Sequence, residues 1–361
     1  MKIAFFTDTY KPQVNGVVTS IELFSRQLQK EGHEVHIFAP TGYGKKVHKM
    51  PSFGFSPYPG YRIGIPLSEK LLWKFKEFNF DIIHVHTPIS LGAVGIGMAK
   101  HLDIPVVGTF HTMLPEYMHY LGKLMGIKGI KSVAKKGAWK YCAWFHNRLN
   151  AVMAPSEQTA RVLKRHGVKK PVIVVPTGID MRRIGNAKKK REKSILHVGR
   201  ITREKSIETI IDALAELPEE VTLRIASSGP HAAELRKYVI EKGLKKRVKF
   251  LGYLSNEELD REYKSAGVFV IASKTETQAL VLLEAALRGL PVVALEAPVT
   301  GDFVRENQIG IVSKKDELPR NITQILHRGS KNSSDLQRLM RKYDIKNCTK
   351  MLLEVYESVI S

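Results

Sequence analysis

Cysteine, acidic side chains and long hydrophobic runs are what this 361-residue chain has least of. Its two cysteines, Cys142 and Cys348, lie far apart with no CxxC or Cys/His ligand spacing near either. That argues against a disulfide framework and a structural zinc. No run approaches the roughly 18 apolar residues that a membrane-spanning helix needs. The opening Met1-Lys2-Ile3-Ala4-Phe5-Phe6 meets Thr7-Asp8 too soon for a secretory signal. A cytosolic chain is expected, with both thiols reduced. Acid is short by contrast with base: 35 Asp and Glu stand against 57 Lys and Arg, for a net charge of +22. The excess is uneven, about +15 in residues 1–186 and +7 in 187–361. A surface of this sign fits nucleic acid, anionic lipid or a negatively charged substrate.

What is present is an ordinary globular composition, 43% hydrophobic, in a chain long enough for two cores. Short Val/Ile-rich runs at 3–6, 35–39, 82–85, 106–109, 152–154 and 173–175 alternate with helix-like stretches such as 20–30 and 156–165. A second series follows at 194–198, 222–226, 248–251, 268–272, 291–295 and 310–312, separated by helical stretches that include 206–216 and 234–242. This is the rhythm of repeated βαβ units with buried parallel strands. It predicts an α/β protein with two Rossmann-like domains, 1–181 and 194–344, joined by the polar linker 182–193. A terminal helix over 345–361 has no strand after it. Ligands of such sheets bind beyond the carboxyl ends of the strands.

One segment of that kind is Ser273-Lys274-Thr275-Glu276-Thr277-Gln278-Ala279-Leu280-Val281-Leu282-Leu283-Glu284, directly after the run 268–272. A helix starting near Thr277 would leave the backbone N–H groups of Thr277, Gln278 and Ala279 free to cradle an anion. At about 100° per residue, Glu284 would lie roughly 80° around the axis from Glu276, so both carboxylates can face one cleft. Set among Leu282, Leu283, Ala285 and Leu287, Glu284 needs a partner if buried. By itself the pair leaves hydrolysis, metal binding and a structural turn open.

The motifs around it are ordered. The loop Phe6-Thr7-Asp8-Thr9-Tyr10-Lys11-Pro12-Gln13-Val14-Asn15-Gly16 comes first, followed by Asp81-Ile82-Ile83-His84-Val85-His86-Thr87-Pro88 and Thr109-Phe110-His111-Thr112. Then come Val175-Pro176-Thr177-Gly178-Ile179-Asp180, Val198-Gly199-Arg200 with Lys205, and the E-x7-E pair Glu276 and Glu284 before Gly289-Leu290-Pro291. From residue 1 to about 313 this set resembles the retaining glycosyltransferases of family 4, whose GT-B fold has two Rossmann-like domains facing across a cleft. In that fold the C-terminal helix crosses back to the first domain. The wording Thr275-Glu276-Thr277-Gln278 and His111-Thr112-Met113 is similar to members that glucosylate diacylglycerol or mannosylate phosphatidylinositol.

The resemblance implies a role for each matching position. Arg200 and Lys205 would hold the diphosphate of a UDP- or GDP-hexose, and Gly16 would let the loop backbone approach the same phosphates. Thr277, Gln278 and Ala279 would line the donor, Glu284 would accept from the ribose hydroxyls, and Glu276 and His111 would stand beside the transferred sugar, glucose. Stabilising the developing charge of a leaving diphosphate is electrostatic work for cations and N–H donors. No metal or other cofactor is expected; His84 and His86 face one side of a strand but lack a third ligand. Two departures stand out: Ser227-Ser228-Gly229-Pro230 replaces a loop richer in glycine, and Ala279 stands where glycine is frequent.

Between residues 119 and 150 there are seven cations (Lys123, Lys128, Lys131, Lys135, Lys136, Lys140 and Arg148), no acid, and the aromatics Tyr120, Trp139, Tyr141, Trp144 and Phe145. A basic, aromatic amphipathic segment suits an anionic membrane surface, at about 1 kcal/mol per cation near it. Lys128, Lys131, Lys135, Lys136 and Trp139 are the docking candidates, with a lipid acceptor at the cytoplasmic face. The competing reading packs the apolar side inside the first domain and leaves the lysines solvated. A soluble sugar or sugar phosphate is the alternative acceptor. A basic protein that only binds lipid or nucleic-acid surfaces is the rival class, but it would have no need of the phosphate and E-x7-E residues, and no nucleic-acid motif is present.

Overall fold

The computed structural model describes residues 1–54, 62–65, 75–117, 131–184, 191–328 and 336–361. The chain divides into two compact units, one formed by Met1–Ile179 with Tyr343–Ser361 and the other by Asp180–Lys342. The strands of the first are β1 (Lys2–Phe6), β2 (Glu34–Ala39), β3 (Val47–Lys49), the short antiparallel pair β4 (Ser52–Gly54) and β5 (Arg62–Gly64), then β6 (Ile82–Val85), β7 (Val106–Thr109), β8 (Ala151–Ala154) and β9 (Val172–Val174). Its main sheet runs β3-β2-β1-β6-β7-β8-β9, every neighbouring pair parallel.

Alternation along β1 shows why this sheet reads as continuous apolar runs. Ile3 and Phe5 join one core with Ile21, Phe24 and Leu28 of the helix Gly16–Lys30 and with Leu352, Val355 and Tyr356 of the helix Ile345–Ile360. Ala4 and Phe6 point into the other core, among Phe38, Phe75, Phe80, Met98 and Phe145. Both faces are covered, so both sets of side chains are apolar. The helix Gly16–Lys30 starts four residues before the expected 20 because the Asn15 side chain caps it, accepting from Val18 N at 3.0 Å. The helix Ile345–Ile360 is tied to the first unit by Ile179 N donating to Tyr343 O (2.8 Å) and Ile345 N to Ile179 O (3.1 Å).

The second unit holds β10 (Ser194–Val198), β11 (Thr222–Ala226), β12 (Val248–Gly252), β13 (Val268–Ile271), β14 (Val292–Leu295) and β15 (Gly310–Ser313) in the order β12-β11-β10-β13-β14-β15. All its pairs are parallel, and Ile195, Leu223, Val270 and Val293 centre one core. Part of the stretch expected as a linker is anchored here. The Arg191 guanidinium donates to the carbonyls of Tyr263, Ala266 and Arg288 at 2.9–3.1 Å, while 185–190 lie outside the described residues.

Leu352 is 1% exposed where the helix Ile345–Ile360 meets the first sheet. Leu352→Ala is expected to destabilise the first unit by about 2–5 kcal/mol through the cavity it leaves, read as a lowered urea midpoint.

Candidate active site

In the second unit the strand order reverses at β10: β11 lies on one side of it and β13 on the other. The loops that leave the carboxyl ends of β10 and β13 therefore start side by side, at the position where open α/β sheets bind ligands. Arg200 and Lys205 follow β10, and Glu276 follows β13. The Lys205 ammonium donates to Glu276 Oε1, with both side chains about four-fifths buried. Burial alone would push the Glu276 carboxyl up; the Lys205 charge and hydrogen bond outweigh it and hold the group below its usual 4.5. Arg200 is half-buried at the same edge.

His197, on β10, belongs to this cluster although its place inside a strand gave no sign of a site. Its Nδ1 lies 3.0 Å from the Val270 carbonyl, which can only accept, so Nδ1 carries the proton and Nε2 is a bare lone pair. Nε2 has no hydrogen-bond partner among the described residues, and neither has Thr275 Oγ1. Burial pushes the His197 pKa down to about 4, so the ring is neutral at ordinary pH.

The helix after β13 begins at Leu280, not near Thr277. Ala279 ends the preceding loop in the left-handed region, φ 59° and ψ 60°, which a helix start at Thr277 would forbid. This conformation costs a residue with a Cβ roughly 1–2 kcal/mol, a physical reason for glycine there. Thr277, Gln278 and Ala279 thus belong to the loop, the last two buried, and the helix's own first N–H groups are those of Leu280 and Val281. The two glutamates do not share a helix face, because Glu276 precedes the helix. Glu284 sits within it and accepts from Tyr263 Oη at 2.8 Å. Burial raises its pKa, with the Tyr263 bond and the nearby Arg288 charge opposing.

In the first unit, Gly16 is the first residue of the helix Gly16–Lys30, and a Cβ built on it would meet nothing within 4 Å. Its φ is not positive, so the fold does not demand glycine there; the open space over the helix start is what a Cβ would fill. The loop before it is pinned by Asp8, which accepts from Thr87 Oγ1 (2.6 Å), Ser90 Oγ and Leu91 N (2.9 Å). His111 follows β7, half-buried, with Nε2 3.1 Å from His86 Nδ1. Burial lowers the His111 pKa to about 3. Asp8 stands out in sequence only as part of the first loop and His86 only as half of a same-facing histidine pair; contacts across 79 to 83 and 25 residues define them.

The basic segment is described only in part. Lys128 lies outside the described residues, as does the side chain of Lys131; Lys135 and Lys136 are exposed on the helix Lys131–His146. Trp139 corrects the expectation of a membrane-facing ring. It is only 8% exposed, with its ring centroid 3.8 Å from that of His166, parallel to within 5°, and Phe110 beyond. A large aromatic on the inward side of an amphipathic helix gains more by packing than by exposure. Trp144, 50% exposed, is the outward ring, with Arg148 over it at 3.6 Å and Tyr141 stacked beside it. Val133 is also exposed.

Residues 14–183 match the family described as Glycosyltransferase Family 4, and residues 180–357 match Glycosyl transferases group 1. The chain is 33% identical over 334 residues to an alpha-monoglucosyldiacylglycerol synthase of Streptococcus pneumoniae, covering 86% of this chain and 74% of that protein. It is 26% identical over 353 residues to a GDP-mannose-dependent alpha-mannosyltransferase of Mycolicibacterium smegmatis, covering 90% and 89%. The crystal structure of Anabaena HepE in complex with UDP and glucose superposes with a TM-score of 0.78 at 18% identity, over 99% of this chain and all of that one. The architecture is the GT-B fold of two Rossmann-like units. The chain belongs to glycosyltransferase family 4.

Lys205→Ala strands a largely buried carboxylate and is expected to destabilise the second unit by about 1–3 kcal/mol. Adding Glu276→Gln should restore most of that loss in a double-mutant cycle by urea unfolding. Because the folded Glu276 pKa is depressed, the pair's stabilisation is present above about pH 4.5 and lost as pH falls through the folded value. Lys205→Ala should flatten that acid limb.

Proposed function

We propose that this chain is a retaining glycosyltransferase that moves glucose from a UDP- or GDP-activated donor to a membrane lipid of the diacylglycerol type. The observation that carries the reading is the Lys205–Glu276 pair at the carboxyl edge of β10 and β13. A buried cation beside a carboxylate held ionised can serve a diphosphate and the sugar attached to it, whereas a surface-binding protein gains nothing from the arrangement. The similarity to a monoglucosyldiacylglycerol synthase supports the acceptor class, and the mannosyltransferase relative keeps a GDP-sugar within the donor range.

In this reading Lys205 and Arg200 take the leaving diphosphate. The Lys205 ammonium shifts from one anionic partner toward another without crossing an uncharged state. Glu284, already hydrogen-bonded on one oxygen by Tyr263, accepts from the ribose hydroxyls. Thr277, Gln278 and Ala279 line the donor, and the open space at Gly16 admits a phosphate to the helix start. Glu276 and His111 orient the sugar. The acceptor hydroxyl attacks on the face the diphosphate leaves, and a phosphate oxygen takes its proton, so no carboxylate nucleophile is assigned. The positive charge offsetting the leaving group is assigned to Arg200 and Lys205 rather than to a metal. Among the described residues no helix is long and apolar enough to cross a membrane. Contact with the lipid surface is assigned to Lys135, Lys136, Val133 and Trp144 of the helix Lys131–His146, a peripheral attachment at the cytoplasmic face.

Calorimetry with a panel of nucleotide sugars, followed by transfer assays on diacylglycerol, phosphatidylinositol and soluble sugars, tests the reading. Binding of a UDP- or GDP-hexose with transfer to lipid is expected, and failure of every nucleoside diphosphate to bind would sink it. Glu284→Ala should weaken donor binding by roughly tenfold, the loss of a buried hydrogen-bond acceptor. Glu276→Ala should chiefly lower kcat. For the surface, Lys135→Glu with Lys136→Glu is expected to reduce co-sedimentation with anionic vesicles and spare binding of the donor.

A further inference from the structure

The first unit contains an array of three histidines, His84 and His86 buried and His111 half-buried, of which only His111 is used by the reading above. His84 and His86 are alternate residues at the carboxyl end of β6 and point the same way, their ring centroids 3.9 Å apart. Phe5 of β1 packs edge-on against both rings, at 5.2 and 4.7 Å. His84 is held at both nitrogens, by Tyr356 Oη (2.7 Å to Nδ1) and Thr109 Oγ1 (2.8 Å to Nε2). His86 touches His111 through Nδ1, at 3.1 Å from Nε2, with the two rings near parallel. Burial lowers the pKa of all three. Each ring is therefore neutral at ordinary pH, with one N–H and one lone pair.

The tautomers follow from partners. Hydroxyls donate or accept, so Tyr356 and Thr109 leave the His84 proton free to sit on either nitrogen. His86 is different. It is 1% exposed, and its Nε2 has no hydrogen-bond partner among the described residues. A proton on Nε2 would bury a donor with nothing to receive it, which native structures avoid more strictly than an unmatched acceptor. The proton then sits on His86 Nδ1 and is donated to His111 Nε2, so the His111 proton must sit on Nδ1.

We propose that His86 is a positioning residue that fixes His111 as its Nδ1–H tautomer and sets its ring plane, so that His111 meets the sugar as a hydrogen-bond donor through Nδ1. The assignment rests on His111 standing at the transferred sugar, as proposed above. His86 itself touches no substrate. Its own ring cannot drift, clamped between Phe5 and His84, and His84 is clamped in turn by Tyr356.

Nitrogen-15 NMR of the histidine-labelled protein, with His111 assigned from the spectrum of His111→Gln, reads the tautomer directly and needs no substrate. A protonated Nδ1 and a bare Nε2 on His111 are expected; the reverse tautomer, or a mixture of the two, overturns the proposal. In transfer assays His86→Leu should lower kcat by up to roughly a hundredfold, the loss typical of a misaligned group, with donor KM little changed. His86→Asn, whose amide N–H reaches the Nδ1 position, should recover most of it. In a His111→Gln background His86→Leu should cost nothing further, whereas an equal loss there would show a merely structural role and reject the positioning one. If no sugar transfers at all, the glycosyltransferase reading fails while the NMR result still decides the tautomer.

Discussion

A parallel sheet covered on both faces leaves the chain only one place to do chemistry. Its side chains are committed to two apolar layers, as Ile3 and Phe5 on one side of β1 and Ala4 and Phe6 on the other show. Its backbone groups are committed to neighbouring strands. Every strand also points the same way, so all carboxyl ends open on one edge. The polar residues that matter in each unit sit in the first few positions past a strand: Asp8 after β1, His86 after β6, His111 after β7, Arg200 after β10 and Glu276 after β13. His197 and His84 sit a residue or two before that edge, buried, facing their neighbours' strands.

The two glutamates of the E-x7-E pair solve the same burial problem in opposite ways. Glu276 is kept ionised by a cation, and its affinity for a proton falls. Glu284 has a neutral phenol as its direct partner, and its affinity for a proton rises. The first arrangement keeps a charged pair at the carboxyl edge of β10 and β13. The second keeps a fixed acceptor, with the Tyr263 hydroxyl setting its direction and Arg288 bracing the same turn through Asp260 at 2.7 Å. Two carboxylates of one motif are thus suited to different work by a residue 71 positions away in one case and 21 in the other.

Much of the fold was legible because periodicity is local. The strand runs and the switch from one series to the next need only neighbouring residues. The same locality explains what was missed. The start of the helix at Leu280 depends on Ala279 taking a left-handed conformation, and alanine is usually a helix former, so the pattern alone extends the helix too far. Trp139 was misplaced because a basic, aromatic helix has two sides, and only tertiary contact with His166 and Phe110 says which one a given ring is on. Glu284 stood out as a carboxylate needing a partner, yet Tyr263 as that partner has no signature in sequence. His84 and His86 were visible as a same-facing pair, but their hydroxyl and imidazole partners come from β7, the loop beyond it and the last helix.

The hydroxyl of Tyr356 reaches His84 from the helix Ile345–Ile360, and this sets an order on synthesis. Residues 180–342, the whole of the second unit, are made before that helix exists. The sheet of the first unit, translated before the second, must therefore wait, with Ile3, Phe5 and Ile82 lacking part of their cover, while the second unit is completed. The second unit has every residue it needs first, and the older half of the polypeptide is the last to mature. Until the helix Ile345–Ile360 docks, the face of the first sheet that carries Ile3, Phe5 and Ile82 stays partly bare.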